Sequence, residues 1–413
     1  MIGDSMKHKL QAEARKAEIN LKEANLKKIL QEIVDNRGIS RAQIARNTML
    51  SRTTVSMLTE EMLEDGLIFT NGTGVIDTTG RKPTRLEINP DYAQIVTVVL
   101  RQSEMRYVLY NMALEPIEVF SCPIEYRNGF ACDILDTIKQ RSKLLDWEKC
   151  ACFCISTSST ILTDTYELLS TIMDIAPGYN FLKDLRARLG QIPIFASNGS
   201  PMLAYAEKKF GEKRDISNLI YINIAEGLGA GIIMDDKLFK GAYGRAGEFG
   251  HMSIDIKGPA CPCGKRGCID CYLKKSAILE SFQKAAEGGH SLMSSKPISY
   301  GSICSALEAG DAVAMSVATD LCEKLAFAIS NLICVFNPER IVLGGGIQEL
   351  GNVFFRLVND FVMASASKGT MWARKLSIAY TFLDEWAENL GIAKYFLDKV
   401  FKFPFFCEGQ MFL

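Results

Sequence analysis

The feature that most constrains the fold is a short segment that combines one histidine with three closely spaced cysteines. The run 247–251 is Gly-Glu-Phe-Gly-His, and the run 261–268 is Cys-Pro-Cys-Gly-Lys-Arg-Gly-Cys. Glycines at 264 and 267 permit the tight backbone that three thiolates need in order to face one ion. A Cys₃His set fills all four positions of tetrahedral zinc, so the metal is expected to be structural. The predicted Zn²⁺ ligands, in a loop of about 251–271, are His251, Cys261, Cys263 and Cys268.

The alternative interpretation of this segment is a loop of buried thiols beside a hydrogen-bonded histidine. The chain has only three histidines, and a Cys-Pro-Cys-Gly run is poor material for an apolar core, so zinc is favoured. Cys271 lies outside the pattern and is interpreted as structural. A disulfide framework is not expected, because the N-terminus lacks a signal peptide and the protein is therefore expected in the reducing cytoplasm. Most of the other cysteines lie in apolar runs and are predicted to be small core residues, for example Cys150, Cys152, Cys154 and Cys334.

Size and charge limit the class of protein. A chain of 413 residues predicts two or three domains at about 150 residues each. The net charge of −1 means that a surface for nucleic acid must be local. No run reaches the roughly 18 uncharged apolar residues of a membrane helix, and residues 1–28 lack the apolar core and cleavage site of a signal peptide. We therefore expect a cytoplasmic protein with no membrane partner.

Residues 1–88 are predicted to form a winged helix-turn-helix domain. Leu26, Ile29, Leu30 and Ile33 recur at helical spacing in a first helix. Ser40, with Gln43 three residues later, has the pattern of a capping box at the start of a second helix, and Ser51 caps a third. A short strand at 67–69, a Gly/Thr-rich tip at 71–80 and a returning strand at 81–88 complete the predicted wing.

The third helix has the composition of a recognition helix. Its first residues are short and polar, which suits insertion into the major groove of double-stranded DNA. Two cations, Arg81 and Lys82, stand at the end of the wing tip, where they can approach phosphates. The alternative is a small helical domain with a polar face, but helix-turn-helix, strand, tip and basic return together favour DNA binding. The predicted DNA-contacting residues are Ser40, Arg41, Ser51, Arg52, Thr53, Thr54, Ser56, Arg81 and Lys82.

The remainder, 89–413, is predicted to be an α/β domain. Strand-like runs at 93–100, 106–112 and 115–121 follow one another directly, and helices then alternate with strands. This order is typical of sheets that carry helices on their faces. Later predicted elements include a helix at 201–210, a long helix near 311–335 and a closing helix near 385–401.

Several of these motifs resemble the ROK family (repressor, open reading frame, kinase). In the head the match runs through 38–41, 50–56, 66–68 and 80–83. In the second part the family signature Gly-Glu-x-Gly-His followed by Cys-x-Cys-Gly-x-x-Gly-Cys is present at 247–268. The resemblance continues through 219–233, 240–242, 337–338 and 341–346. It implies a winged helix-turn-helix followed by a two-lobed sugar kinase/actin-like (ribonuclease H-like) domain, with a sugar between the lobes.

The resemblance also indicates that catalysis has been lost. Where ROK kinases have Asp-x-Gly-Gly-Thr after the first strand, this chain has Leu-Arg-Gln-Ser-Glu at 100–104. Glu104 would repel phosphate, and the loop has no glycine to let backbone amides approach ATP. Where the kinases have a catalytic aspartate after the sugar-binding asparagine, this chain has Gly199. A second glycine-rich turn, at 225–231, is only partly kept.

The residues that the family uses to hold sugar are better preserved. By their position in the motifs, the expected sugar contacts are Asn198, Glu248, His251 and Asp270. His251 can ligate zinc through one ring nitrogen and donate its other N–H to a sugar hydroxyl. The alternative is that Asn198, Glu248 and Asp270 satisfy buried backbone groups instead.

Together these patterns predict a transcriptional regulator of carbohydrate metabolism, a repressor and not an enzyme. Its expected partners are a double-stranded DNA operator, a sugar or sugar phosphate effector and a second copy of the chain in a homodimer or homotetramer. Two other functions stay open at this point. One is an active ROK sugar kinase with an added head, and the other is a regulator whose ROK domain binds a partner protein.

Overall fold

Three helices and a small antiparallel sheet form the N-terminal head. The computed structural model describes residues 20–73, 84–127, 129–161, 167–169, 179–288, 290–294, 297–367, 376–401 and 411–412. The head contains α1 (20–35), β1 (Ile39–Ser40), α2 (Arg41–Thr48), α3 (Arg52–Glu64), β2 (Ile68–Thr73) and β3 (Thr84–Ile88). The apolar stripe predicted for α1 is buried, which confirms its helical spacing. The predicted capping box is also confirmed, with the Ser40 hydroxyl accepting from the Gln43 amide and the Gln43 side chain accepting from the Ser40 amide.

Two α/β lobes follow the head. The first lobe contains β4 (Gln94–Leu100), β5 (Glu104–Asn111), β6 (Pro116–Pro123), α4 (Phe130–Arg141), β7 (Cys150–Thr157), β8 (Thr160–Ile161), β9 (Leu168–Leu169), α5 (Phe181–Leu189), β10 (Ile194–Asn198) and α6 (Gly199–Phe210). The second contains β11 (Leu219–Ile224), β12 (Leu228–Met234), β13 (Lys237–Leu238), α7 (Asp270–Leu273), α8 (Lys275–Ala286), α9 (Tyr300–Glu308), α10 (Ala312–Phe336), β14 (Arg340–Gly344), α11 (Gly351–Ser367), β15 (Ser377–Tyr380) and α12 (Ala387–Tyr395). A final strand, β16 (Met411–Phe412), returns to the first sheet. Within the described ranges, no helix is long and apolar enough to span a membrane.

The two sheets repeat one topology. The first has the order β16-β10-β7-β4-β5-β6, and the second has the order β13-β12-β11-β14-β15. In each sheet the first strand in sequence pairs antiparallel with the next strand and parallel with a later one. The predicted succession of three strands followed by helix–strand alternation is therefore confirmed. The parallel strands β4, β7 and β10 end in register, which brings Leu100, Thr157 and Asn198 to one edge.

Helices α6 and α12 join the lobes. Although α6 follows the first sheet, it packs on β11 and β12, and α12 packs on β4 and β7 of the opposite lobe. The two helices lie so close that a Cβ on Gly391 would fall 2.1 Å from the carbonyl oxygen of Met202. Glycine at 391 is therefore required by the approach of two backbones.

One core prediction is wrong. Cys150, Cys152 and Cys154 are buried in β7 as expected, but Cys334 is exposed on α10. Phe327 and Val335 of the same helix are also exposed, so the outer face of α10 is apolar toward its C-terminal end. A continuous apolar run does not distinguish the buried face of such a helix from the outer face.

A cluster of charged side chains fixes the head to the lobes. Asp35, at the end of α1, pairs with Lys394 of α12 and lies 3.5 Å from the ammonium of Lys209 on α6. Asp398 pairs with the same two lysines at 2.8 and 3.4 Å and accepts the Tyr205 hydroxyl. The Lys394 and Asp398 side chains are only 4% and 1% exposed. Lys209 and Lys394 are thus balanced by two carboxylates, and one of these, Asp35, comes from the head.

Replacing Asp35 by Asn should therefore loosen the head. The substitution leaves the buried Lys394 with one carboxylate, shared with Lys209, and we expect the free energy of unfolding to fall by about 1–3 kcal/mol. Urea denaturation measures this loss, and hydrogen exchange should show faster opening of α1. Asp91→Asn, at an exposed position after the head, is the matched control. Unchanged stability and exchange would show that the charge cluster does not hold the head.

Candidate functional sites in the cleft, the Cys/His cluster and the head

The predicted metal ligands come together. One ligand atom from each of His251, Cys261, Cys263 and Cys268 lies within 4.8 Å of the others. His251 Nδ1 is 3.6 Å from the Cys261 sulfur, and the Cys263 and Cys268 sulfurs are also 3.6 Å apart. A tetrahedral ion with Zn–S bonds of about 2.3 Å separates its sulfurs by about 3.8 Å. The cluster could therefore hold a metal ion.

The backbone around the cluster depends on glycine. Gly267 has φ +61°, and a Cβ there would lie 1.7 Å from the carbonyl oxygen of Asp255. The amide of Cys261 donates to the Lys265 carbonyl at 2.8 Å, which closes the turn that carries Cys263. The Cys271 thiol lies by the carbonyl of Ala260 and is not among the four clustered ligands. The tight turn predicted from the glycines is confirmed.

A cavity of about 930 Å³ lies between the lobes. Its floor includes Arg101, Thr157 and Asn198 at the ends of the parallel strands, and residues 225–230 and 245–248 face them. The cavity is lined by all four side chains expected to contact sugar, Asn198, Glu248, His251 and Asp270. Cys261 and Cys263 also line it, so the Cys/His cluster forms part of one wall.

Two of these four side chains also satisfy backbone groups. The Asn198 side-chain oxygen accepts from the amide of Ile161 at 3.1 Å, and the Asp270 carboxylate accepts from the amide of Leu228 at 2.8 Å. Glu248 follows a turn that only glycine can make, because Gly247 has φ +91° and its Cβ would lie 1.9 Å from the Ala230 carbonyl oxygen. Asp270 thus has a structural role in addition to its place on the cavity wall.

Beside Gly199 the structure places a charged pair that the sequence analysis missed. A Cβ on Gly199 would lie 2.6 Å from Oε1 of Glu388, at the start of α12. The same oxygen accepts the Ser156 hydroxyl at 2.6 Å, and Oε2 lies 2.6 Å from the guanidinium of Arg101. Burial lowers the pKa of Arg101, but the carboxylates of Glu388 and Glu226 outweigh it, and the pKa is raised above its usual value. Arg101 therefore stays charged in the cavity.

In the head, the start of α3 is presented to solvent. Ser51, Arg52, Thr53 and Ser56 are exposed and Thr54 is half-buried. The Ser51 hydroxyl caps the helix by accepting from the Thr54 amide at 3.0 Å. The sequence analysis did not single out Met49 and Met57, which are exposed beside these residues. The outward face of α3 is therefore polar at its N-terminus, as a helix that enters the major groove requires.

Two of the residues expected to contact DNA are engaged inside the head. Ser40 is buried and its hydroxyl caps α2. The guanidinium of Arg41 donates to the Thr59 hydroxyl and to the Glu60 carboxylate, both at 2.8 Å. The expectation of a side-chain contact to DNA is thus corrected for Ser40, and two of the five N–H donors of Arg41 are used by α3. Arg81 and Lys82 lie outside the described residues.

Comparisons with known proteins agree with this architecture. A model of the ROK family matches residues 134–378, and a model of a winged helix-turn-helix DNA-binding domain matches residues 22–68. The xylose repressor of Caldicellulosiruptor bescii is 30% identical over 83% of this chain and 88% of its own length.

Two solved structures share the fold. A ROK family transcriptional regulator, described as a homolog of the E. coli MLC protein, has a TM-score of 0.79 at 23% identity and covers 92% of this chain and 97% of its own. A ROK family glucokinase from Streptomyces griseus, in complex with glucose and AMPPNP, has a TM-score of 0.63 at 21% identity over 73% of this chain and 98% of its own. At these identities both structures show the fold alone.

Proposed function

This chain belongs to the ROK family, and on that premise we propose that it is a DNA-binding repressor of carbohydrate metabolism whose ROK domain is a sugar receptor and not a kinase. The observation that carries the proposal is the winged helix-turn-helix match at residues 22–68, which precedes the ROK match in a chain similar to a xylose repressor over 88% of that protein's length. We assign residues 1–88 to DNA binding and 89–413 to the ROK domain. We also propose that it acts in the cytoplasm, in keeping with a DNA partner.

The cleft supports a receptor without kinase activity. A kinase needs a base near the attacked hydroxyl and a loop that admits the phosphates of ATP. Here residue 199 has no side chain, and the carboxylate nearest to it among the described residues, that of Glu388, is buried against Arg101 and Ser156. Glu388 also does not line the cavity, so its carboxylate does not face a ligand hydroxyl.

The head would act through two kinds of contact. Arg52, at the exposed start of α3, is placed to pair with a base edge or a phosphate, and Ser51, Thr53, Thr54 and Ser56 can hydrogen-bond beside it. Arg81 and Lys82 of the wing would contribute attraction to phosphates that does not depend on sequence. A palindromic operator requires two heads about 34–36 Å apart or a multiple of that, so we propose a homodimer, or a homotetramer built from such dimers.

Replacing Arg52 by Ala should weaken and broaden DNA recognition. A lost bidentate base contact costs about 1–3 kcal/mol, or about 5- to 150-fold in affinity. The measurement is a fluorescence titration with a duplex that the wild-type chain selects from a random library, followed by the same selection with the variant. Arg127→Ala removes an equal charge from an exposed site on the first lobe and is the control. Unchanged affinity and selected sequence would contradict the assignment of α3 as recognition helix.

The Cys/His cluster is proposed as a structural zinc site with His251, Cys261, Cys263 and Cys268 as ligands. Its support is the sulfur spacing, which fits a tetrahedral ion, and the full set of four protein donors. When bound, the ion would hold the loop rigid. His251 turns Nδ1 toward the sulfurs, which leaves Nε2 for a ligand in the cavity.

Replacing Cys263 by Ser should release the metal. Elemental analysis of the wild-type chain is expected to find one zinc per chain, and the variant should retain little and melt at a lower temperature. Cys334→Ser, at an exposed cysteine far along α10, is the control and should keep its zinc. Native protein without zinc would contradict the proposal.

A sugar can change DNA binding only if it prefers one arrangement of the domains over another. Glu248 lines the cavity and directly precedes the Cys/His loop. We therefore propose that Glu248 transmits the binding of a ligand to this loop. Asn198, His251 and Asp270 would complete the polar contacts to the ligand.

Glu248→Gln should abolish the sugar response while ligand-free DNA binding persists. Coupling of this type is about 1–3 kcal/mol, which corresponds to about 5- to 150-fold in DNA affinity. The test is the same duplex titration with and without the sugar that most raises the melting temperature. Glu287→Gln, at an exposed position after α8, is the control. A variant that responds like the wild type would exclude this carboxylate from the signal.

A further inference from the structure

Position 199 has no side chain, but a buried carboxylate from another helix, α12, lies directly against it. Glu388 Oε1 lies where a side chain on residue 199 would begin, because a Cβ there would be 2.6 Å away. Glu388 itself is 1% exposed and is not part of the cavity lining. Any side chain at 199 would collide with it, so the glycine and the buried glutamate belong together.

Arg101 covers this carboxylate and faces the cavity. Its side chain is 17% exposed and lines the cavity, and its guanidinium lies 2.6 Å from Glu388 Oε2. A guanidinium has five N–H donors in a rigid planar fork, and one carboxylate oxygen occupies only part of that capacity. Arg101 therefore has N–H donors beyond the one nearest Glu388, and its side chain lines the cavity. The cavity thus has a hydrogen-bond donor, Arg101, close to position 199, where ROK kinases have a catalytic aspartate.

The charges around the cavity balance. The described lining contains four cationic side chains, Arg101, Arg245, Lys265 and Lys274. It also contains four carboxylates, Glu167, Glu226, Glu248 and Asp270. Arg101 is already paired with Glu388 beneath it, so the floor offers no surplus positive charge. Receptors for phosphate or carboxylate ligands direct unpaired cations or helix N-termini at the anion. The N-terminus of α6 does reach this cavity, but the carboxylate of Glu388 lies against it at Gly199 and offsets its positive end.

We propose that Arg101, held by Glu388, is the specificity-determining donor of the cavity, and that the pair selects an uncharged carbohydrate over a phosphorylated or carboxylated one. This inference rests on the proposed function as a sugar-controlled repressor and names the ligand class of its cavity. Arg101 donates to hydroxyl or ring oxygens of the sugar. Glu388 positions the guanidinium and cancels the charge that would otherwise attract an anion.

The experiment is isothermal titration of the full chain with D-xylose, D-glucose, N-acetyl-D-glucosamine, D-glucose 6-phosphate and D-glucuronate. At least one uncharged probe should bind more tightly than both anionic probes. The double variant Arg101→Gln/Glu388→Gln removes both charges without leaving either one buried alone, and it should bind that probe about tenfold or more weakly. Arg188→Ala, at an exposed ion pair on α5, should bind like the wild type.

Glu388→Gln alone gives a readout that a merely structural role would not produce. It keeps the shape of the side chain but leaves the charge of Arg101 uncompensated, so the affinity for glucose 6-phosphate relative to glucose should rise about tenfold. An unchanged ratio would overturn the proposal, as would tighter binding of an anionic probe by the wild type. The same holds if the double variant keeps full affinity, or if none of the uncharged probes binds.

Titration of the same preparations with the selected DNA duplex separates this inference from the function on which it rests. If the wild-type chain binds DNA but prefers an anionic ligand, the repressor function is supported and the proposed ligand class is contradicted. If the wild-type chain binds no duplex, the repressor function is contradicted, whatever the cavity binds.

Discussion

The close packing of α12 against α6 is the contact on which the arrangement of the cleft and the head depends. At Gly391 the backbones approach so nearly that no side chain fits, and each helix rests on the sheet of the other lobe. The lobes are therefore joined through two crossed-over helices and not only through the chain that connects them. The cavity lies where these helices begin, at Gly199 and next to Glu388.

The same two helices end at the head. Lys209 is near the end of α6 and Lys394 is in the last turn of α12, and both are neutralised by Asp398 together with Asp35 of the head. Buried charges tolerate little displacement, because a lysine moved away from its carboxylates becomes an unpaired ion in a dry environment. A shift of either helix at the cavity end thus changes the energy of the joint at the other end. This joint is the route by which the proposed ligand in the cleft would act on the head without contacting DNA.

Local signals in the sequence predicted much of this molecule, and contacts distant along the chain account for what was missed. The Cys/His spacing, the capping box at Ser40 and the strand order are each encoded within a few tens of residues, and all three are found in the structure. The pairing of Arg101 with Glu388 joins the start of the first lobe to the last helix, so no periodicity or spacing could predict it. Ser40 illustrates a different limit, because its side chain is buried as well as capping α2, and burial of a serine is not visible in the local sequence.

A single substitution at residue 199 could not give this cleft a catalytic base. An aspartate at 199 would place a second carboxylate against Glu388, and two like charges at that distance cannot both ionise in a buried site. Replacing Glu388 by a smaller residue would leave the guanidinium of Arg101 without its carboxylate partner and the Ser156 hydroxyl without its hydrogen-bond acceptor. A functional base would therefore require Gly199, Glu388 and Arg101 to change together. The same three residues carry the proposed donor to the sugar, so a change that created a base would also remove the proposed ligand contact.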